Sequence, residues 1–238
     1  LENLTIKVNQ QALVIGGGVT GMTAAIELAR QGVKVHLVER EKELGGNLRK
    51  LHYLPSGDDP TENAKRLEAE VRAEKNITLY LGTGVKSIDG YVGNFKTVLS
   101  DGKEIEHGVV ILAVGGQEYK PEGEYLYGKN KNVKTLLEFK EMLKKGEAKG
   151  KSYVFIQCVG SREGDHPNCS RVCCTGTMTA ATKVKEKDPE AEVYVLFRDI
   201  RTYGFREKYY KDASQKGVKF VRFDDDKKPV VEDKGGKI

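Results

Sequence analysis

The chain has 238 residues, a formal net charge of +5 and four cysteines, with 38% hydrophobic and 32% charged residues. That length and apolar content suit one large or two small globular domains with a true core. Acids and bases are interspersed, no apolar run approaches the ~18 residues of a membrane span, and no signal-peptide pattern opens the chain, so nucleic-acid binding and membrane insertion are not expected and a cytoplasmic location is.

Residues 1–9 read as a leader with little structure of their own. The stretch QALVIGGGVTGMTAAIELARQGVKVHLVER follows. It predicts a strand over 12–15, a glycine turn, and a helix marked by Met22, Ala25, Ile26 and Ala29 at helical spacing. Gly32 ends that helix, and a second strand over 33–38 runs into Glu39. Gly16, Gly18 and Gly21 form G-x-G-x-x-G. The first glycine permits a tight turn, the second lets a pyrophosphate approach the backbone, and the third lets helix and strand pack closely. The helix start offers free N–H groups to phosphate, and Glu39 is placed to accept hydrogen bonds from ribose hydroxyls. Strand, glycines, helix, second strand and acid all fall in register, so a dinucleotide site is expected here.

Further on, Asp59-Pro60 starts a helix carrying Ala64, Leu67 and Val71, and 77–81 is a strand. Segments 85–88, 91–99 and 103–106 read as an antiparallel meander, with Ser100-Asp101-Gly102 as a turn. A strand over 109–114 leads into Gly115 and Gly116. A short helix is expected over 135–145. Then a new βαβαβ pattern begins: strand 152–158, helix 171–187, strand 192–198, helix 203–216 and strand 218–222, with one more weak strand at 229–232. The fold class is therefore α/β, a Rossmann-like domain with an antiparallel meander followed by a second half-Rossmann domain.

All four cysteines, Cys158, Cys169, Cys173 and Cys174, fall in one stretch, CVGSREGDHPNCSRVCC. It follows the first strand of the second half-fold, where a nicotinamide-binding unit would have its Gly-rich loop. Only Gly160 remains of that pattern. In a reducing compartment, clustered thiols point to metal or redox chemistry. The spacing C-x10-C-x3-C-C lacks the paired knuckles of common zinc sites. Adjacent cysteines suit a [4Fe–4S] cluster better than a single tetrahedral ion. Placing 169 and 173 on one helix puts them a turn apart, and Arg162 and Arg171 are nearby positive charge. A redox dithiol and a zinc site stay open as alternatives. The histidines, His36, His52, His107 and His166, are scattered and supply no catalytic group.

Several stretches carry resemblances. Glu39, Arg40 and the following EKELGGNL resemble the extended flavin signature of two-dinucleotide flavoproteins. Ala113, Val114 and Gly115 resemble their second flavin motif, with valine in place of threonine. FAD is therefore favoured over NAD. Together with GYVGNFKT, FIQCVGSR, CSRVCC and VLFRDIRTYGFREKYY, these stretches resemble the A subunit of heterodisulfide reductase. The resemblance implies an FAD-containing, thioredoxin-reductase-like core with a [4Fe–4S] cluster. Such a core works with the other subunits of a heterodisulfide-reductase-like complex and with electron carriers such as ferredoxin. It implies FAD contacts at Gly16, Gly18, Gly21, Glu39, Arg40, Gly46, Asn47, Val85, Ala113 and Gly115. It implies cluster ligation by Cys158, Cys169, Cys173 and Cys174. The domains are then a leader over 1–9, an FAD-binding domain over 10–130, a connecting segment over 131–150, and a degenerate NAD(P)-binding-like domain over 151–238. The further cysteine motifs and the returning flavin segment of that family are lacking, so the sequence reads as part of a longer protein. Two other functions compete with an electron-transfer oxidoreductase. One is an NAD(P)H-dependent disulfide or quinone reductase that reads a 2′-phosphate with Arg198 and Arg201. The other is a zinc-bound docking scaffold without catalysis.

Overall fold

The computed structural model describes residues 7–235 and Ile238. Most of the expected leader, residues 1–6, lies outside the described residues. Lys7 to Gln10 carry no regular structure, although the Asn9 N–H donates to Gly93 O. The chain divides into two compact units. One comprises the residues up to Lys50 with Pro60–Gly116, and the other Leu51–Asp59 with Gln117–Ile238.

The first unit is built on a parallel sheet of β1 (Gln11–Ile15), β2 (Lys34–Glu39), β3 (Ile77–Leu81) and β7 (Val109–Leu112), in the order β3-β2-β1-β7. In β1, Ala12, Leu13 and Val14 are all fully buried. A strand covered on both faces needs this continuous apolar run rather than alternation. The pairing puts Ile15 beside both Val38 and Leu112. The strand order reverses at β1, and the chain leaves β1 and β7 at the same end of the sheet. That end is the topological switch point where α/β sheets hold ligands. Helix α1 (Val19–Arg30) follows β1 and buries Gly21, Met22, Ala25, Ile26 and Ala29, the face expected from its periodicity. Helix α2 (Pro60–Ala73) buries Ala64, Leu67 and Val71 and lies against α1.

The meander consists of β4 (Val85–Tyr91), β5 (Asn94–Leu99) and β6 (Glu104–His107), antiparallel in that order. The turn between the first two strands falls at Val92-Gly93, with Gly93 at φ 96°, so the first strand runs three residues past its expected end. Inside this sheet, His107 Nε2 lies 2.7 Å from Thr97 Oγ1 and its Nδ1 3.1 Å from Val109 O. In the parallel sheet, His36 bonds to Gln11 and Tyr80. Both histidines hold strands together.

The second unit has a parallel sheet of β8 (Ser152–Ile156), β9 (Glu192–Phe197) and β10 (Lys219–Arg222), in the order β10-β9-β8. Its core joins Val193 and Val195 to Met178, Ala181 and Val184 of α4 (Cys173–Lys187), to Ala213 of α5 (Glu207–Gln215) and to Leu143 of α3 (Leu136–Lys145). The expected connecting segment thus supplies a core helix. Thr135 and Glu138 form a capping box at its start, and Gly146 closes it in the left-handed conformation. The chain between β9 and α5 opens with a short 3-10 turn at Gly204–Arg206 rather than α-helix. Residues 229–232 form no strand. They follow Pro229, which cannot donate to a ladder.

Helix α3 buries a lysine. Lys140 of α3 is 3% exposed, and a methyl group on Gly176 of α4 would lie 3.6 Å from its Nζ. Burial lowers its pKa from 10.5 to about 8. The folded state then binds fewer protons than the unfolded chain between about pH 8 and 10.5, so this residue's penalty is full below pH 8 and fades above it. Lys140→Met should therefore melt at a higher temperature than wild type at pH 7. The gap should narrow as thermal scans are run from pH 8 to 10, and a gap independent of pH would contradict the burial argument.

Candidate functional site

The switch point of the first unit is lined by three segments. The turn after β1 comes first. Gly16 has φ 107°, and a side chain there would run into Ala113 O at 2.3 Å. A methyl on Gly21 would lie 1.8 Å from Gly16 O, so α1 packs directly on the turn that introduces it. Gly18 differs: nothing lies within 4 Å of where its Cβ would be, and its backbone is extended at φ −76° and ψ −174°. Its empty position is left open rather than filled by packing, as a phosphate approach to the backbone requires.

The Gly-Gly pair after β2 comes second. The Gly45 N–H donates to Gly17 O, and a Cβ on Gly46 would come 3.1 Å from Gly18 Cα. The exit of β7 comes third. The Ala113 N–H donates to Ile15 O, and the Asn47 side-chain amide donates to Gly116 O at 2.9 Å. Gly16, Gly18, Gly21, Gly46, Asn47 and Ala113 are therefore linked through this one end of the sheet, and Gly115 lies in the loop leaving it.

Glu39, at the end of β2, is 8% exposed. One carboxylate oxygen accepts the Gly17 N–H at 2.6 Å and the other accepts the Glu41 N–H at 2.9 Å. A carboxylate has about four acceptor positions, so capacity remains for ribose hydroxyls. The acid also holds the glycine turn in place, a role its position alone did not reveal. Arg40 is exposed and pairs with Glu41 at 3.5 Å. Val85 opens β4 and packs against Leu13, Val38, Leu99 and Ile105. Thr83 was not legible as a site residue. It is buried, its hydroxyl has no protein partner, and its N–H donates to Glu39 O. No sequence signal sets this threonine apart.

In the second unit, Cys158 lies two residues beyond β8. The Gln157 N–H donates to Leu196 O, and its side-chain amide donates to Thr177 Oγ1 at 2.7 Å, which ties the strand end to α4. Cys158, Arg162 and Arg171 all have left-handed backbones, with φ of 64°, 63° and 60°. Each costs on the order of 1–3 kcal/mol for a residue with a side chain, and such strain gathers at ligand sites. The left-handed Arg171 also corrects the expected helix start. Helix α4 begins at Cys173, so Cys169 lies in the loop and is not one turn before Cys173 on a helix. The Cys169 sulfur accepts the Arg171 N–H instead.

Cys173 and Cys174 occupy the first two positions of α4, and their sulfurs share a hydrogen bond. That bond lowers the Cys173 thiol to about 6, with help from Ser170, and raises the Cys174 thiol. Cys158 is near enough to Cys174 to push its proton affinity up further. Cys174 thus responds to both Cys173 and Cys158, whereas the Cys169 sulfur accepts from the loop backbone. Among the described residues, no three His, Cys, Asp or Glu side chains form a ready-made metal cage. The donor chemistry nevertheless suits a thiolate-ligated group: Cys173 and Cys174 stand at a helix amino terminus, and a guanidinium lies beside Cys158. The Arg162 guanidinium lies 3.9 Å from the Cys158 sulfur and pairs with Asp199, whose carboxyl it holds below its usual range.

The other expected residues separate. Arg198 is 6% exposed and bonded into the cysteine loop, not presented to a nucleotide phosphate. His166 pairs through its backbone with Glu163.

A family model described as pyridine nucleotide-disulphide oxidoreductase matches residues 10–156, more than half of the chain. The chain belongs to the pyridine nucleotide-disulphide oxidoreductases. This places it in a family of oxidoreductases. It is similar to the A subunit of H(2):CoB-CoM heterodisulfide,ferredoxin reductase from Methanothermobacter marburgensis, 29% identical over 93% of this chain and 49% of that protein. It is also similar to the iron-sulfur A subunit of CoB--CoM heterodisulfide reductase from Methanocaldococcus jannaschii, 27% identical over 91% of this chain and 48% of that one. The chain spans about half the length of these curated relatives, whose names match the resemblance read from its motifs. Thioredoxin reductase of T. acidophilum superposes with a TM-score of 0.57 at 19% identity, covering 89% of this chain and 63% of that one. That likeness shows the fold, the Rossmann-like α/β arrangement expected from the sequence. Among the described residues, no helix is long and apolar enough to cross a membrane.

The glycines separate packing from ligand approach. Gly21→Ala should destabilise the protein by roughly 1–3 kcal/mol through overpacking. Gly18→Ala should leave the melting temperature unchanged yet weaken FAD binding, as read by flavin fluorescence titration. Equal effects of the two substitutions on both measurements would refute this division.

Proposed function

We propose that the chain is an electron-transfer oxidoreductase that binds FAD in its first unit and a [4Fe–4S] cluster in the cysteine loop of its second. In this reading it works with the other subunits of a heterodisulfide-reductase-like complex and with electron carriers such as ferredoxin. The observation that carries the reading is the four-thiol loop at the carboxyl end of β8, where a parallel α/β unit offers its ligand crevice. The names of the relatives support it, since they tie both iron-sulfur and ferredoxin to this sequence type.

FAD and the cluster, when bound, supply two-electron and one-electron redox chemistry respectively. The protein residues do the holding. Gly18 leaves the backbone open to the pyrophosphate, and the N–H groups at the start of α1 face it. Glu39 orients the glycine turn and keeps acceptor capacity for the ribose. Gly46, Asn47, Ala113 and Gly115 line the same end of the sheet, and Arg40 and Val85 complete the proposed set. Cys158, Cys169, Cys173 and Cys174 hold the cluster. Arg162, beside Cys158, offsets part of its negative charge.

The competing 2′-phosphate reading loses one of its two readers, because Arg198 is already committed to loop carbonyls. Anaerobic reconstitution with iron, sulfide and FAD tests the proposal. The expected product is a brown protein absorbing near ~400 nm, with about four irons per chain. Cys158→Ser should lose the iron and keep the flavin. Stoichiometric zinc in place of iron, or flavin reduced directly by NADPH without need of the cysteines, would overturn it.

A further inference from the structure

Among the described residues, Arg198 is the buried guanidinium in contact with the cysteine loop. It stands one residue beyond β9, and its bonds run to the loop that follows β8. Nη2 donates to Ser161 O at 2.7 Å and to Cys158 O at 3.5 Å. Nη1 donates to Arg162 O at 3.3 Å and to Asp225 Oδ1 at 2.6 Å. Its Nε is buried and has no partner among the described residues.

Two of the three carbonyls it gathers belong to Cys158 and Arg162, both left-handed residues with side chains. A backbone bent this way reverts unless its surroundings over-determine it. A planar fork with five fixed donors can span several carbonyls at once, which a lysine ammonium cannot do. The neighbouring acids do not account for this arrangement. Asp225 is 70% exposed and Glu163 lies 3.6 Å away, so a surface ion pair needs none of the carbonyl contacts. The buried Nε leaves one donor that no protein acceptor uses, on a side chain already bonded to the Cys158 carbonyl. Hydrogen bonds and positive charge at cluster sulfurs are established determinants of cluster potential.

We infer that Arg198 is the positioning residue of the four-cysteine centre: it holds Cys158 in its bent conformation and makes the bound cluster easier to reduce. This rests on the cluster reading above. The guanidinium acts through the Cys158 ligand, so removing it loosens the ligand and withdraws a cation from the sulfur together.

The test uses the full chain with Arg198→Gln, Arg198→Lys and, as a control, Arg222→Gln, which changes another arginine lining the same cavity. Hydrogen exchange of the cluster-free protein should show faster exchange at 158–163 in Arg198→Gln, with β8 and β9 unchanged. After anaerobic reconstitution, that variant should bind the cluster about tenfold more weakly. Its EPR-monitored midpoint potential should shift downward. Arg198→Lys, which keeps the charge but not the fork, should fold, show the faster loop exchange, and keep most of the wild-type potential. Arg222→Gln should match wild type in every measurement. If Arg198→Gln fails to fold, the lysine variant decides by loop exchange and cluster affinity. Wild-type exchange and potential in the Arg198 variants, or an equal shift in Arg222→Gln, would overturn the inference while leaving the cluster reading intact. Wild-type protein that takes up no iron overturns the cluster reading itself, and this inference with it.

Discussion

Both units depend on a parallel strand that delivers the chain to the carboxyl end of its sheet, where a helix starts: through a short glycine turn in the first unit, and after the loop 157–172 in the second. The turn has almost no room. In the first unit the space comes from removing side chains: a single methyl at Gly21 would overlap the Gly16 carbonyl at 1.8 Å. Only when helix and strand meet this closely do the N–H groups of the helix start face the end of the sheet where the Gly-Gly pair and the β7 exit also arrive.

The second unit meets the same geometric demand by other means. The chain leaving β8 has Cys158, not glycine, in the left-handed conformation, and Arg162 repeats it four residues on. Thiol-bearing residues at bent positions need outside support, and the buried guanidinium of Arg198 is bonded to the carbonyls of both. A loop that cradles phosphate succeeds by leaving space empty. A loop that presents sulfur must fill space and hold the filling in place. This difference accounts for glycines in one unit and arginines in the other.

The electrostatics follow the same division. In the first unit the carboxylate of Glu39 faces a turn rich in N–H groups. In the second, sulfurs sit at a helix amino terminus with guanidinium groups beside Cys158.

How much of this was legible in the sequence depended on range. Helix α1, the strands on either side of it and the glycine turn follow from apolar spacing and from glycines whose purpose is local. Strand β3 lies where its apolar run ends. The capping box at Thr135 and Glu138 lies within one helical turn, yet that helix read as part of a connector, because its use in the core depends on Met178 and Val193 far along the chain. The start of α4 was misplaced by two residues, since helical periodicity continues through Arg171 and gives no sign of its left-handed backbone. The bonding of Arg198 was beyond reach for the same reason: its partners are brought up by the sheet. The sequence by itself determined which residues are apolar at which spacing, and where glycine or cysteine stands. Which carbonyls a buried arginine gathers, and which thiols sense one another, only the tertiary structure decided, because both depend on strands adjacent in space and distant in sequence.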